Sequence, residues 1–392
     1  MLEIKESFVN SKTMPKVMVI GIGGGGNNAI TRMIEKASDY VTYAALNTDS
    51  MTLDKCPATK RLQLGTKLTQ GFGAGGDPTV GESAAKESEE DIAELVHDAN
   101  MVILTCGMGG GTGTGAIPVV AQICKNLGIL TVAVVTMPFS FESKPRVYAA
   151  QTGLKKLEQN IDTLLVIPND KLLTITDKQF FLDEAFTLCD SVLKYTIEGI
   201  TNIIFNHGTI NLDFNDLRST LKDKGYGLFG IGIASGDETI VDAVEKAISS
   251  QLLDTRITGA SNILLNTSGR VDLVALNKAV SFIREQAGDN VNIFWGTVSG
   301  DPTSEEIVVT VIATGMKQVS TVQEPSTPDP KEFASKVLVT PKEPTPQINP
   351  NLDFLKNAKQ ASDIPAVSTL QSKPKPKPVQ LQIPEFLLHK PS

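Results

Sequence analysis

Gly109-Gly-Gly-Thr-Gly-Thr-Gly115 stands between an apolar, strand-like run, Met101-Val-Ile-Leu-Thr-Cys106, and a helix-like one, Ala116-Ile-Pro-Val-Val-Ala-Gln-Ile-Cys124. Glycine lets a backbone approach a ligand closely, threonine hydroxyls supply hydrogen bonds, and a helix start offers unpaired N–H groups at the positive end of its dipole. A plain turn needs one or two glycines, whereas this run has five. The segment therefore reads as a cradle for a phosphate chain.

A second cluster, Gly21-Ile-Gly-Gly-Gly-Gly-Asn-Asn28, follows the run Val17-Met-Val-Ile20 and opens another helix-like stretch. It contains Gly-x-Gly-x-x-Gly, the pattern of nicotinamide-dinucleotide enzymes, so an oxidoreductase is one reading. That fold needs no second, longer glycine loop, whereas one polyphosphate held between two helix starts does. The sequence has no Gly-x-x-x-x-Gly-Lys-[Ser/Thr], which disfavours a P-loop NTPase.

The 392 residues, 41% of them hydrophobic, suffice for two or three folded units. Aromatic residues make up only 5% and glycines number 32, which favours an α/β protein with tight strand–helix joins. A net charge of −8 and no basic stripe argue against nucleic acid as a partner. Cys56, Cys106, Cys124 and Cys189 are far apart and form no Cys-x-x-Cys, as expected for free thiols in a reducing compartment. His97, His207 and His389 stand alone, and no metal site is expected from side chains. The N-terminus lacks the apolar core of a signal peptide, and no apolar run is long enough to span a bilayer, so a cytoplasmic protein without direct membrane insertion is expected.

From Lys16 onward, short β-branched runs alternate with amphipathic stretches, the pattern of a parallel sheet covered by helices. Strands are expected at 17–21, 43–46, 101–104, 130–135 and 163–167. The spacing of Ala185, Leu188, Val192 and Tyr195 predicts a long helix over 183–205. Strands at 228–234, 262–265, 290–298 and 306–313, with helices near 237–251 and 273–286, read as a second, smaller α/β unit. Beyond about Lys317, Pro, Ser, Thr, Lys and Gln predominate, including Lys373-Pro-Lys-Pro-Lys-Pro378, as in a disordered linker. Ile383-Pro-Glu-Phe-Leu-Leu388 then restores hydrophobicity and reads either as a docking peptide or as a frayed terminus.

Three further constellations carry chemistry. In Pro138-Phe-Ser-Phe-Glu-Ser-Lys-Pro-Arg146, Glu142 can accept from ribose hydroxyls and Arg146 can meet an anion or a base, although the two also stand at the spacing of an ordinary ion pair. Phe186 and Asp190 share one helix face, giving a stacking surface and a carboxylate that would take the paired N–H donors of guanine and refuse adenine. The alternative is a core phenylalanine beside a solvated aspartate. Asp213 and Asp216 can polarise a water or help to hold Mg²⁺, or simply cap a helix. A permanent place beside a bound triphosphate would bring charge repulsion.

Read in order, these segments resemble the FtsZ family, the bacterial tubulin-like GTPases of the cell-division ring. The resemblance rests on Gly109–Gly115, Asn47-Thr-Asp49, Gly71-Phe-Gly-Ala-Gly-Gly-Asp-Pro78, Pro138–Glu142, Ile167-Pro-Asn-Asp170, Asp183-Glu-Ala-Phe186 and Asn211-Leu-Asp-Phe-Asn-Asp216. It runs from about Lys16 to Met316 and returns at the C-terminal peptide.

The resemblance implies a tubulin-like α/β fold: an N-terminal arm (1–15), a Rossmann-type parallel-sheet GTPase domain (16–182), a central helix (183–205), a smaller α/β domain (206–316), a disordered linker (317–380) and a docking peptide (381–392). It implies GTP/GDP with Mg²⁺. Gly24, Gly25, Gly26, Asn27 and Asn28, with Gly110, Gly111, Thr112, Gly113 and Thr114, would cradle the phosphates. Glu142 would contact ribose, Arg146 the phosphate or base, and Asn169, Phe186 and Asp190 the guanosine. Asn211, Asp213 and Asp216 would reach the nucleotide of the next subunit in a head-to-tail filament at midcell, which removes the repulsion. Ile383, Pro384, Phe386 and Leu387 would dock on membrane-anchored division adaptors.

The sequence departs from the family pattern at Ser143, where glycine is usual, at Pro145 before Arg146, and at Asp77, where asparagine is usual. Each is expected to affect nucleotide affinity or turnover without removing a principal group. The acidic residue usual before Ile383-Pro384 is also missing, which bears on partner choice.

Overall fold

Val17-Met-Val-Ile-Gly-Ile22 carries no charged side chain and is buried along its whole length, as a strand covered on both faces must be. This strand, β1, is followed in a computed structural model by α1 (Gly23–Ile34), β2 (Val41–Asn47), α2 (Ser50–Lys55), β3 (Lys60–Gln63), α3 (Thr66–Thr69), α4 (Pro78–Glu87), α5 (Glu89–Val96), β4 (Met101–Gly107) and α6 (Thr112–Asn126). Next come β5 (Leu130–Met137), α7 (Lys144–Glu158), β6 (Thr163–Pro168), α8 (Asn169–Thr174), α9 (Leu182–Phe205) and α10 (Phe214–Leu221). The series closes with β7 (Gly225–Ala234), α11 (Ile240–Ile248), β8 (Asn262–Ser268), α12 (Leu273–Ala287), β9 (Asn292–Val298) and β10 (Ile307–Thr314). The structure describes residues 14–34, 40–174, 181–205, 210, 212–236, 238–249, 257–269, 271–298 and 306–316. The expected N-terminal arm up to residue 13, His207, Asn211, the linker, His389 and the docking peptide lie outside the described residues.

The strands form a ten-stranded sheet in the order β3-β2-β1-β4-β5-β6-β7-β10-β8-β9. From β3 to β7 every neighbour is parallel, while β10 runs antiparallel to both β7 and β8. From β1 the chain leaves toward β2 and β3; after β4 it proceeds the other way, toward β5 and β6. The carboxyl ends of β1 and β4 thus flank a topological switch point, where open α/β sheets place their ligands. Alternation along the strands separates the cores. Val17 and Val19, with Ile103 and Val132, pack under α1 and α9, whereas Met18, Ile20 and Leu104 pack under α4 to α7. In the same manner Leu264 and Ile312 join the core under α9, while Ile263, Leu265, Val309 and Val311 pack against α11 and α12.

The 24-residue α9 measures about 36 Å at 1.5 Å per residue, longer than the strands it crosses. It starts at the edge where the glycine loops lie, with Phe186 edge-on to Phe139 just beyond β5, and ends at the opposite edge, with Phe205 stacked on Tyr40 before β2. All four cysteines are buried and free, and burial pushes the Cys124 and Cys189 thiols up to about 12.

Candidate functional site

Three helix N-termini converge at the switch point. α1 begins one residue after β1, and α6 begins beside it: Gly23 approaches the Gly113 backbone and Gly25 the Gly107 backbone so closely that a Cβ would stand 2.9 and 3.2 Å from their nitrogens. α4, which sequence reasoning did not place, is the third. A Cβ on Gly115 would collide with Pro78 O, and one on Gly111 would stand 2.9 Å from Asp77 N. The unpaired N–H groups and dipoles of α1 and α6 make one electropositive rim, and α4 brings the Asp77 carboxylate that caps it to the same place.

The glycines of that rim divide into two kinds. Gly26, Gly111, Gly113 and Gly115 are explained by packing, each having backbone or side-chain atoms within 3.1 Å of a built Cβ. Gly24 and Gly110 have nothing within 4 Å of such a Cβ and do not have positive φ, so neither packing nor conformation asks for glycine there. The space beside both is open.

Thr114 is buried, and its Oγ1 accepts from Gly109 N at 2.8 Å, so this hydroxyl shapes the loop. Thr112 Oγ1 pairs with Thr48 Oγ1 at 2.6 Å, tying the α6 start to the end of β2. Asn28 is exposed at the α1 start, whereas Asn27 is buried. In the amide orientation that satisfies both ends, Asn27 donates to Gly21 O and Gly23 O at 3.0 Å each and accepts from Asn47 Nδ2 at 3.2 Å. Asn27 thus braces the loop from inside.

Two of the departures find physical roles. Asp77 is the N-cap of α4, accepting from Thr79 N at 2.8 Å, and hydrogen bonds from Thr79 hold its carboxyl below the usual range. Ser143 caps α7, its Oγ accepting from Arg146 N at 3.4 Å, and Pro145 sits in the first turn, where its missing N–H costs nothing. Because α7 starts regularly around it, the proline leaves the Arg146 backbone in helical register.

At the other end of the site, Glu142 Oε1 accepts from Phe139 N at 3.0 Å and Oε2 from Arg146 Nη1 at 2.8 Å, so the ordinary pair foreseen for these residues is made. Phe139 stacks on Phe141 and meets Phe186 edge-on, and Phe186 keeps 41% of its surface exposed. Asp190 Oδ2 takes Arg32 Nε at 3.0 Å, and Arg32 Nη2 also donates to Thr187 Oγ1 at 3.2 Å. Burial raises the Asp190 carboxyl to about 6, partly offset by the arginine. Asn169 is buried, and its Oδ1 has no hydrogen-bond partner. A buried acceptor of this kind costs about 1–3 kcal/mol when unpaired, which a donor on a ligand would relieve. Arg32 was missed in the sequence because 158 positions separate it from Asp190 and only the fold joins them.

Asp213 and Asp216 form a reciprocal capping box at the start of α10: Asp216 N donates to Asp213 Oδ1 at 2.8 Å, and Asp213 N to Asp216 Oδ2 at 3.2 Å. Both ends of the segment that carries them are fixed at the sheet edge opposite the glycine loops. Phe205 precedes it beside Tyr40, and at its far end the Leu221 carbonyl accepts from Thr163 Oγ1, on the first residue of β6.

Residues 16–177 match the Tubulin/FtsZ family, GTPase domain, and residues 225–317 the FtsZ family, C-terminal domain. Among solved structures, an empty FtsZ dimer of M. jannaschii shares 40% sequence identity over 78% of this chain and 89% of its own, with a TM-score of 0.73. The chain belongs to the FtsZ family. It is accordingly a GTPase that binds GTP and GDP. More distant structures share the fold of this FtsZ-family chain. A GTPγS-bound CetZ2 protofilament from Haloferax volcanii is 18% identical over 77% of this chain and 94% of its own, at TM-score 0.68. The GDP-bound CetZ1 monomer of the same organism is 21% identical over 78% and 96%, at 0.67.

Proposed function

We propose that this GTPase polymerises head to tail in the cytoplasm, forms the division ring at midcell, and hydrolyses GTP with Asp213, Asp216 and Asn211 of one subunit acting on the nucleotide of the next. The observation that carries the reading is the anchoring of the Asp213/Asp216 segment at the edge opposite the phosphate rim. Within one chain a sheet about 20 Å long lies between the cradle and both anchors of that segment; stacking two copies brings opposite edges together. The FtsZ of M. jannaschii, 40% identical, forms a dimer, which supports self-association.

In this reading the exposed N–H groups around Gly24, Gly25, Gly110 and Thr112 hold phosphate oxygens, Glu142 and Arg146 turn toward ribose and phosphate, and Phe186, Asp190 and Asn169 take the guanine. Among the described residues no cluster of three His, Cys, Asp or Glu side chains is placed to hold a metal ion. Mg²⁺ would therefore be carried chiefly by the phosphates and water. In the described residues no helix is long and apolar enough to cross a membrane; in this reading Ile383, Pro384, Phe386 and Leu387 attach the ring to an adaptor.

Light scattering and phosphate release measured in the same tube test the proposal. Turnover per molecule should rise steeply with protein concentration, in step with scattering. A specific activity independent of concentration would show that each molecule completes its own site.

A further inference from the structure

The C-terminal end of α10 is held by an arrangement that the GTPase reading leaves unexplained. A helix leaves its last carbonyls without intrahelical partners. Here the carbonyls of Thr220 and Leu221 each receive a threonine hydroxyl from a different strand: Thr314 Oγ1, at the end of β10, donates to Thr220 O at 2.6 Å, and Thr163 Oγ1, at the start of β6, donates to Leu221 O. All three threonines are fully buried or nearly so, with Thr163, Thr220 and Thr314 each at 0% exposure. The two donors stand together over Gly227 of β7, where a Cβ would be 3.1 Å from Thr163 Cγ2 and 3.3 Å from Thr314 Cγ2.

From this clasp, hydrogen bonds lead toward the carboxylates. Thr220 Oγ1 and Ser219 Oγ donate to Asp216 O at 2.9 and 2.8 Å, and Asp216 is locked to Asp213 by the capping box. The chain leaving α10 is fixed as well. Asp162 accepts from Asp223 N at 3.2 Å, and its carbonyl from Lys224 N and Gly225 N, which holds Asp223 at a φ of 54°.

We propose that Thr163 and Thr314 are positioning residues for GTP hydrolysis, setting the direction of α10 and so the reach of Asp213 and Asp216; this rests on the reading that those carboxylates serve the neighbouring nucleotide. The helix is eight residues, about 12 Å, and Asp213 and Asp216 sit at its unclasped end. A tilt of a few degrees at the clasp moves them by about 1 Å, an error that in an active site costs up to ~100-fold in rate.

The test compares full-length Thr163→Val/Thr314→Val, which keeps shape and removes both donors, with Thr163→Ser/Thr314→Ser, which keeps the donors, and with Asp213→Asn. Each is measured for GTP binding, thermal midpoint, assembly by scattering, kcat and KM. The expected result is a fall in kcat of about ten-fold for the valine pair, with GTP binding, KM and assembly unchanged and with the serine pair restored to near wild-type turnover. Valine-pair turnover within two-fold of wild type while Asp213→Asn is inactive would overturn the clasp alone. Full activity of Asp213→Asn would remove the reading beneath it. Loss of GTP binding or assembly in parallel with kcat, or no recovery with serine, would assign the threonines to folding only.

Discussion

Gly24 and Gly110 have empty space where a side chain would go, whereas Gly115 has the Pro78 carbonyl. Substitution should therefore separate function from folding within one loop system. Gly24→Ala and Gly110→Ala are expected to melt within a degree or two of wild type while GTP affinity falls at least ten-fold; Gly115→Ala should melt lower and lose binding as a consequence. Equilibrium binding with thermal denaturation decides the matter.

Asp190 permits a second test at the same scale. Its folded carboxyl titrates near 6, above the unfolded value, so its contribution to stability is fully present below about pH 4 and is lost as pH rises through about 6. Asp190→Asn should remove that pH dependence and be at least as stable as wild type at pH 7.5, because no buried charge remains. If the carboxylate takes the guanine donors, GTP binding should weaken as pH falls below about 6, and in Asp190→Asn it should be weak throughout. Denaturation curves and nucleotide titrations from pH 5 to 8 read both effects.

Among the elements, α10 combines a cap and a candidate catalytic pair in the same two side chains. Asparagine caps as well as aspartate, so Asp213→Asn should keep the stability of wild type and lose turnover. Asp213→Ala should lose turnover and in addition about 0.5–2 kcal/mol of stability. Phosphate release beside urea denaturation separates the two. The same scale shows what the sequence made legible. The buried strands β1, β2, β4, β5 and β6 and the long α9 could be read because their apolar patterns are strong and local, and the two glycine loops because such density has few other uses. β3 escaped because Lys60-Arg-Leu-Gln63 is a short, charged edge strand whose pairing with β2 supplies what its composition lacks. The convergence of α4 on α6, Arg32 on Asp190 and the two threonines under α10 depend on contacts between residues far apart in the chain, which no local pattern announces.

For the whole molecule, a head-to-tail contact is heterologous: each copy contributes a cradle to one junction and a carboxylate pair to another. Two variants impaired in opposite halves of the junction should then complement each other at GTP concentrations that leave Gly110→Ala largely unliganded. Gly110→Ala retains its carboxylates, and Asp213→Asn retains its cradle. Mixed in equal amounts they should regain up to about a quarter of wild-type turnover, the share of junctions at which both intact halves meet. An inactive mixture that nevertheless scatters light would contradict shared sites.

The crossing of α6 and α7 has a consequence for how this sequence can vary. Pro118 interrupts the hydrogen bonding of α6 one turn after Thr114, and α7 passes so close that a Cβ on Gly153 would strike Thr114 Cγ2 and stand 3.2 Å from Thr114 O. Arg146 rides on the same helix, two turns before Gly153. Any side chain at 153 would wedge the helices apart and displace the arginine and the phosphate loop together. In a saturation library scored for growth, position 153 should tolerate no more than the glycine loops themselves, although it lies in the middle of α7, outside both loops.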